Sequence, residues 1–400
     1  MNKKKVTIIL MVFIAIFSTF VFVKNNSNFE ITNEINNKSK KNNDLLTMNL
    51  EQTAGTGDYK TVTQSEWPTE GYEFNKELSK CENGSEISWD DTKKVVVVSG
   101  NLSDKCYVYF DIARFDKLCN TSTLACHVAK LYTGTQGENG IYYHNTSLTN
   151  GAGDNNYRYV GANPNNYICL GSDATTCPDD NLFRIIGVFG DKVKVIKDKS
   201  VVKMHWDTSN YNTWSISSLN TYLNGTYLTS IGTLSDKIDV ATWKVGGNTW
   251  DNISVSTAKE VYDYEIKNPS TTASTGETEY SAKIGLMYVS DYMFAFLQDN
   301  WTLVAYNSND ATKDYRAVKA ENWLYLGSDE YTITRSSKNS ADVFAIYSSG
   351  EVYSYSVSCN SDEPLPCMAY KKYARPSFYL ISSVEYSGGT GTSSDPIRIN

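Results

Sequence analysis

The chain's eight cysteines, at positions 81, 106, 119, 126, 169, 177, 359 and 367, constrain its chemistry most. A cysteine can ligate a metal, act as a nucleophile or pair as a disulfide, and spacing separates these uses. Structural zinc sites use C-x-x-C pairs or cysteines mixed with histidines. The chain has no C-x-x-C and only three His. A reactive thiol needs an electropositive surrounding. In NYICLGSDATTCPDDNLFRIIGVFGDKVKVIKD the loop between Cys169 and Cys177 is polar, with no His beside it. An even set falling into neighbouring pairs predicts Cys81–Cys106, Cys119–Cys126, Cys169–Cys177 and Cys359–Cys367 as disulfides. No metal and no cofactor is expected.

The other chemistry-bearing residues form weaker patterns. His205-Trp206-Asp207 sets a histidine beside an acid, but a triad also needs a placed nucleophile, and no G-x-S-x-G occurs. The run SGGTGTSSDP (387–396) lacks the Gly-Lys-Ser/Thr of a phosphate loop and reads as a hairpin turn. Paired acids at 90–91, 179–180 and 329–330 match no calcium loop. No catalytic residue is assigned. Tryptophans 243, 250, 301 and 323 lie in stretches rich in Gly, Asn and Asp. Flat aromatic faces stack on sugar C–H edges while amides and carboxylates read the hydroxyls. Trp250 and Trp301, with Asn252 and Asp299, are therefore the candidate ligand-binding residues, and Trp243 and Trp323 read as core.

The elements that must position these residues follow from the pattern. Three lysines precede an uncharged run, Val6–Val23, whose 18 residues reach transmembrane length. The positive-inside rule leaves the rest of the chain outside. Residues 1–24 are read as a single-pass transmembrane signal anchor, cleavage being the alternative, and the oxidising compartment agrees with the disulfides. Residues 25–62 read as a flexible stalk, poor in large apolar groups. Residues 63–113 alternate in short strands and read as a small β module stapled by Cys81–Cys106. Residues 114–137 read as a connecting helical segment, and 138–400 as an α+β domain.

Within that domain NLFRIIGVFGDKVKVIKD reads as a hairpin. SISSLNTYLNG reads as a helix capped by Thr213 or Ser215 and ended by Gly225. STAKEVYDYEIKN reads as another helix. KIGLMYV, WLYLG and SFYLISSVEY read as strands, with Ser290 capping a short helix after the first. The class is α+β, antiparallel strands with a few short helices. A net charge of −8 and a pI near 5.1 argue against nucleic acid as a partner.

NYRYVGANPNNYICLGSD, CPDDNLFRIIGVFGDKVKVIK, YNTWSISSLNTYLNGTYL, KIGLMYVSDYMFA, NWLYLGSDEYTI and ARPSFYLISSVEYSGGTGTSSDPIRI together resemble a domain-of-unknown-function family of extracytoplasmic modules from Gram-positive gut bacteria. The match covers residues 138–400. The Trp214–Asn224 run, a later W-L and the C-terminal A-R-P-x-x-x-L more distantly resemble the formylglycine-generating and C-type-lectin-like superfamily. The resemblance implies an envelope or surface role and a C-type-lectin-like fold. The expected function is non-enzymatic binding of a glycan or of a host or neighbour-cell surface protein. The alternatives are an enzyme acting on envelope or extracellular polymers and a purely structural envelope component.

Overall fold

Residues with period-two alternation form the first sheet. In the strand Cys106–Ile112, Cys106, Val108 and Phe110 turn inward, while Tyr107 and Tyr109 lie half-buried on the other face. The computed structural model describes residues 19–25, 28–32, 46–62, 71–90, 93–101, 103–269, 277–357 and 371–399. It divides into two units, Met1–Arg114 and Phe115–Asn400.

The first unit pairs two small sheets. Cys106–Ile112 is flanked by Leu46–Glu51 in parallel and by Tyr72–Phe74 and Lys80–Cys81 antiparallel, with Tyr59–Val62 outside Leu46–Glu51. Val95–Ser99 pairs with Glu86–Asp90 and with Thr19–Asn25, which turns back onto Asn28–Thr32. The core comprises Met48, Leu50, Val96, Val98, Cys106, Val108 and Phe110. Trp89 meets Phe110 edge-on at 5.1 Å. The buried carboxylate of Glu51 is satisfied by the Ile112 amide at 2.9 Å and the Gly57 amide at 3.1 Å.

Two expectations change here. Leu46–Glu51 and Tyr59–Val62 are strands of the unit, not stalk, because Met48 and Leu50 at i and i+2 bury on one face. Of the expected transmembrane run, residues 19–23 (TFVFV) form a strand against Val95–Ser99, since aromatic and β-branched residues suit a sheet. Residues 1–18 lie outside the described residues. Among the described residues no helix is long and apolar enough to cross a membrane.

The second unit begins with two short helices, Phe115–Leu118 and Leu124–Lys130, tied by the Cys119–Cys126 disulfide. Leu124, Ala125, Val128 and Ala129 bury in the unit's larger core cluster, so this segment is part of the domain and not a connector. Seven strands form the main sheet. Their order is Ile141–Tyr143, Tyr157–Tyr159, Leu182–Phe189, Lys192–Lys197, Ser377–Tyr379 and Ile284–Gly285, with Tyr167–Cys169 also paired to Leu182–Phe189.

The predicted hairpin is present, and its strands are covered on both faces. The register shifts between Ile185 and Gly187. A Cβ on Gly187 would stand 1.9 Å from the Tyr157 carbonyl oxygen, so only glycine lets these backbones approach. A second sheet runs Val202–Met204, Lys372–Ala374, Glu330–Arg335, Asp342–Ile346 and Val352–Ser356, with one parallel pair, Glu330–Arg335 to Lys372–Ala374. The class is α+β, as expected.

Local boundaries shift by a few residues. The first helix is capped by Ser217, whose hydroxyl accepts the Asn220 amide at 3.0 Å. It runs through Gly225 to Ser230 as continuous helical turns. Thr257 and Glu260 form a capping box for Ala258–Tyr262. The helix after Ile284–Gly285 starts at Val289, before Ser290. Trp323–Gly327 is a turn, held where the Trp323 amide donates to Gly161 O at 3.0 Å. The strand in SFYLISSVEY is confined to Ser377–Tyr379; Tyr386–Gly388 then pairs with Arg398–Ile399 across the Gly-rich turn.

Candidate functional site

Three of the predicted disulfides are present: Cys81–Cys106, Cys119–Cys126 and Cys169–Cys177. Cys359 and Cys367 lie outside the described residues. Among the described residues no group of three or more His, Cys, Asp or Glu could hold a metal ion.

The Cys169–Cys177 loop forms one wall of a groove of about 630 Å³. Strand Tyr167–Cys169 delivers the chain to the sheet, Gly171 turns it at φ +72°, and the disulfide closes the loop. Asn181 clamps the base: its amide side chain donates to Leu170 O at 2.7 Å. Arg398, on the last strand, donates to Ser172 O at 3.2 Å and Thr175 O at 3.1 Å. Thr233, Leu234 and Lys237, on the turn Gly232–Lys237, and Ser387 and Asp395 also line the groove. Hydroxyls, carboxylates and cations on held walls suit a polar ligand, and the volume lies within the usual 300–1,000 Å³ of small-ligand sites.

A second cavity, about 150 Å³, lies over the main sheet and is lined by charge. Arg158, on strand Tyr157–Tyr159, forks onto Asp154 at 2.9 and 2.6 Å, and the Tyr262 hydroxyl donates to the same carboxylate at 2.8 Å. Burial alone would raise the Asp154 carboxyl, but the Arg158 charge and hydrogen bonds outweigh it and hold it below the usual carboxylate range. His144, fully buried against Phe294 and Trp301, is pushed well below its ordinary pKa, first by desolvation and then by Arg158. It is neutral, with Nδ1 accepting the Ala152 amide at 3.1 Å.

Across the cavity Lys194 Nζ meets Asp291 Oδ2 at 2.5 Å, with the Tyr288 ring 4.5 Å from the ammonium. Burial lowers the Lys194 pKa against the pull of Asp291. Behind the pair, desolvation raises the Glu265 carboxyl to about 7 although the Ser290 amide and Thr334 hydroxyl both donate to it at 2.7 Å.

The tryptophan hypothesis fares differently. Trp301 is wholly buried, its Nε1 donating to Phe296 O at 2.9 Å and its ring packed on Phe294 and His144, so it offers no stacking face. Trp243 and Trp323 are likewise core, bonded to Ala282 O and Tyr159 O. Asp299 is exposed on the turn Gln298–Thr302 beside the buried Trp301. Trp250 and Asn252 belong to the short helix Trp250–Val255, and their side chains lie outside the description. Trp301, as a core residue, takes no part in an exposed aromatic face. Asp207 accepts amides of Ser209 and Tyr211 and so orders a loop, while Trp206 is core.

The groove and the cavity were both missed from sequence. For the cavity one signal existed: Lys194 stands between Val193 and Val195 in a strand whose flanking residues are apolar. A charge inside such a run demands a partner. Searches of family models, curated proteins and solved structures find no match to the chain, so its functional reading rests on this geometry.

Proposed function

We propose that this is an extracytoplasmic protein of the cell surface that binds a polar ligand, a glycan or a surface protein, without chemical turnover. The disulfides point to an oxidising compartment, and the lysine-led apolar run that begins at Val6, ahead of the strand Thr19–Asn25, supports export. The observation that carries the binding reading is the groove beside Cys169–Cys177. Hydroxyls and the Asp173 carboxylate stand on a loop fixed by a disulfide and by Arg398, and the Lys237 amine on the turn Gly232–Lys237 lines the same groove. Pre-set polar groups recognise a hydroxyl-rich ligand with little ordering cost. Among the described residues, each carboxylate of the charged cavity is already matched by a cation, which leaves an enzymatic reading second.

The test is binding of the oxidised chain to a glycan array and to mucin, repeated with Asp173→Ala and Lys237→Ala. Losing one charged hydrogen bond predicts a loss of about tenfold for each variant. Binding that survives both but fails with Trp250→Ala would move the site to the helix Trp250–Val255. A blank with correctly folded protein refutes the glycan reading and leaves protein partners.

A further inference from the structure

Burying an ion pair is costly, because two charges leave water and recover that loss only through close geometry and added hydrogen bonds. Lys194 and Asp291 have gone far in this direction. Their side chains are 1% and 4% exposed. Among the ion pairs of the described residues, this one alone joins a lysine to a carboxylate with both almost wholly buried: Lys372–Asp329 leaves its carboxylate about a third exposed, and the other deeply buried pairs, Arg158–Asp154 and Arg375–Glu330, use arginine, whose guanidinium is a poor nucleophile.

Aromatic rings surround the ammonium, in a cavity also lined by the Arg158–Asp154 pair. The ammonium lies 4.5 Å from the Tyr288 ring centre, and 5.5–5.6 Å from those of Trp243, Phe189 and Tyr379. Both partners are fixed. Lys194 stands in a central strand of the main sheet. Asp291 is the third residue of the helix Val289–Phe294, where the oxygen facing Lys194 also accepts the Tyr288 amide at 2.8 Å.

We propose that Lys194 and Asp291 are joined by an intramolecular isopeptide bond that forms once the second unit has folded. The ammonium passes a proton to the Asp291 carboxylate that it touches, and the freed lone pair of Nζ attacks Cγ. The C–N bond forms, Nζ passes a second proton to the same carboxyl oxygen, and the C–O bond breaks to release that oxygen as water. Overall an ammonium and a carboxylate become an amide and one water, with no oxidant or co-reactant. Burial favours the uncharged lysine, which is the nucleophilic form. Fixed contact supplies an effective molarity on the order of 10⁵–10⁸ M, which drives a condensation that free amines and acids in water do not undergo. The product is a neutral amide, so the desolvation cost of both charges disappears. The bond would cross-link sheet and helix 97 residues apart, a staple that reducing agents cannot open.

The experiment is a tryptic map of the full chain after reduction and denaturation. The expected result is a branched peptide joining the Lys194 and Asp291 segments, lighter than their sum by one water, with no cleavage after Lys194. In Lys194→Arg, which keeps a cation but cannot condense, the branched peptide should be absent while circular dichroism still shows the folded sheet. Recovery of the wild-type segments as two unlinked peptides of full mass overturns the proposal. So does a branched peptide that persists in Lys194→Arg, because the link would then lie elsewhere.

Discussion

The two units use the same covalent device against very different backgrounds. In the first, Cys81–Cys106 joins directly opposed residues of two strands, over a core cluster of seven buried side chains among the described residues. In the second, Cys119–Cys126 and Cys169–Cys177 close short loops beside an apolar core that runs from Leu124 to Ile397. Chain-entropy reasoning gives each bridge a similar value, on the order of 3 kcal/mol. A small unit has only about 3–5 kcal/mol from its core, so there the staple decides whether it folds. In the larger unit the core decides, and the bridges are free to shape loops, one of them a groove wall.

Core and staple variants test this contrast most severely. Trp301→Ala empties a fully buried site in the second unit and should cost about 3–5 kcal/mol, read as a lower midpoint in urea with the first unit's transition unmoved. An equal shift in both transitions would show that the units do not unfold separately. Next, Cys81→Ala with Cys106→Ala should remove on the order of 3 kcal/mol and leave the first unit largely unfolded by hydrogen exchange at residues 46–112. Protection there that equals wild type would mean its core suffices alone.

A pH scan sharpens the picture of the second unit's interior. The folded Glu265 pKa, about 7, lies above the ordinary 4.5, so the folded state holds the proton more tightly. Its contribution is therefore complete below about pH 4.5 and is lost as pH rises through 7, on the order of 3 kcal/mol in all. Glu265→Gln should flatten this fall in melting temperature between pH 5 and pH 8; a slope equal to wild type would assign the fall to other groups.

The smallest effect is expected from Cys169→Ser with Cys177→Ser. The second unit should stay folded and lose on the order of 2–3 kcal/mol, while the groove loop 170–181 gains hydrogen exchange. Global unfolding of this variant would put both units in the same staple-dependent class.

Much of the architecture was legible locally. The hairpin Leu182–Phe189 with Lys192–Lys197 follows from two β-rich runs around Gly190–Asp191. The three disulfides seen follow from neighbouring cysteines. The helix Ala258–Tyr262 carries its own cap in Thr257 and Glu260. Leu46–Glu51 escaped because its partner, Cys106–Ile112, lies far along the chain and pairs in parallel, which no local turn announces. Trp323–Gly327 reads as a strand by composition, yet its backbone answers to Gly161. The Trp301 surroundings look like a sugar site in one dimension, and three dimensions fold its polar neighbours outward and its ring inward.

Residue type and spacing by themselves determined the compartment chemistry, the α+β class and the local staples, because each depends on contacts within a few residues or on composition alone. Only the tertiary structure decided that Trp301 is core, where the groove lies, and that Lys194 meets Asp291. Those outcomes depend on segments separated by tens to hundreds of residues. Their meeting is set by sheet register and by the need of each buried charge for a partner.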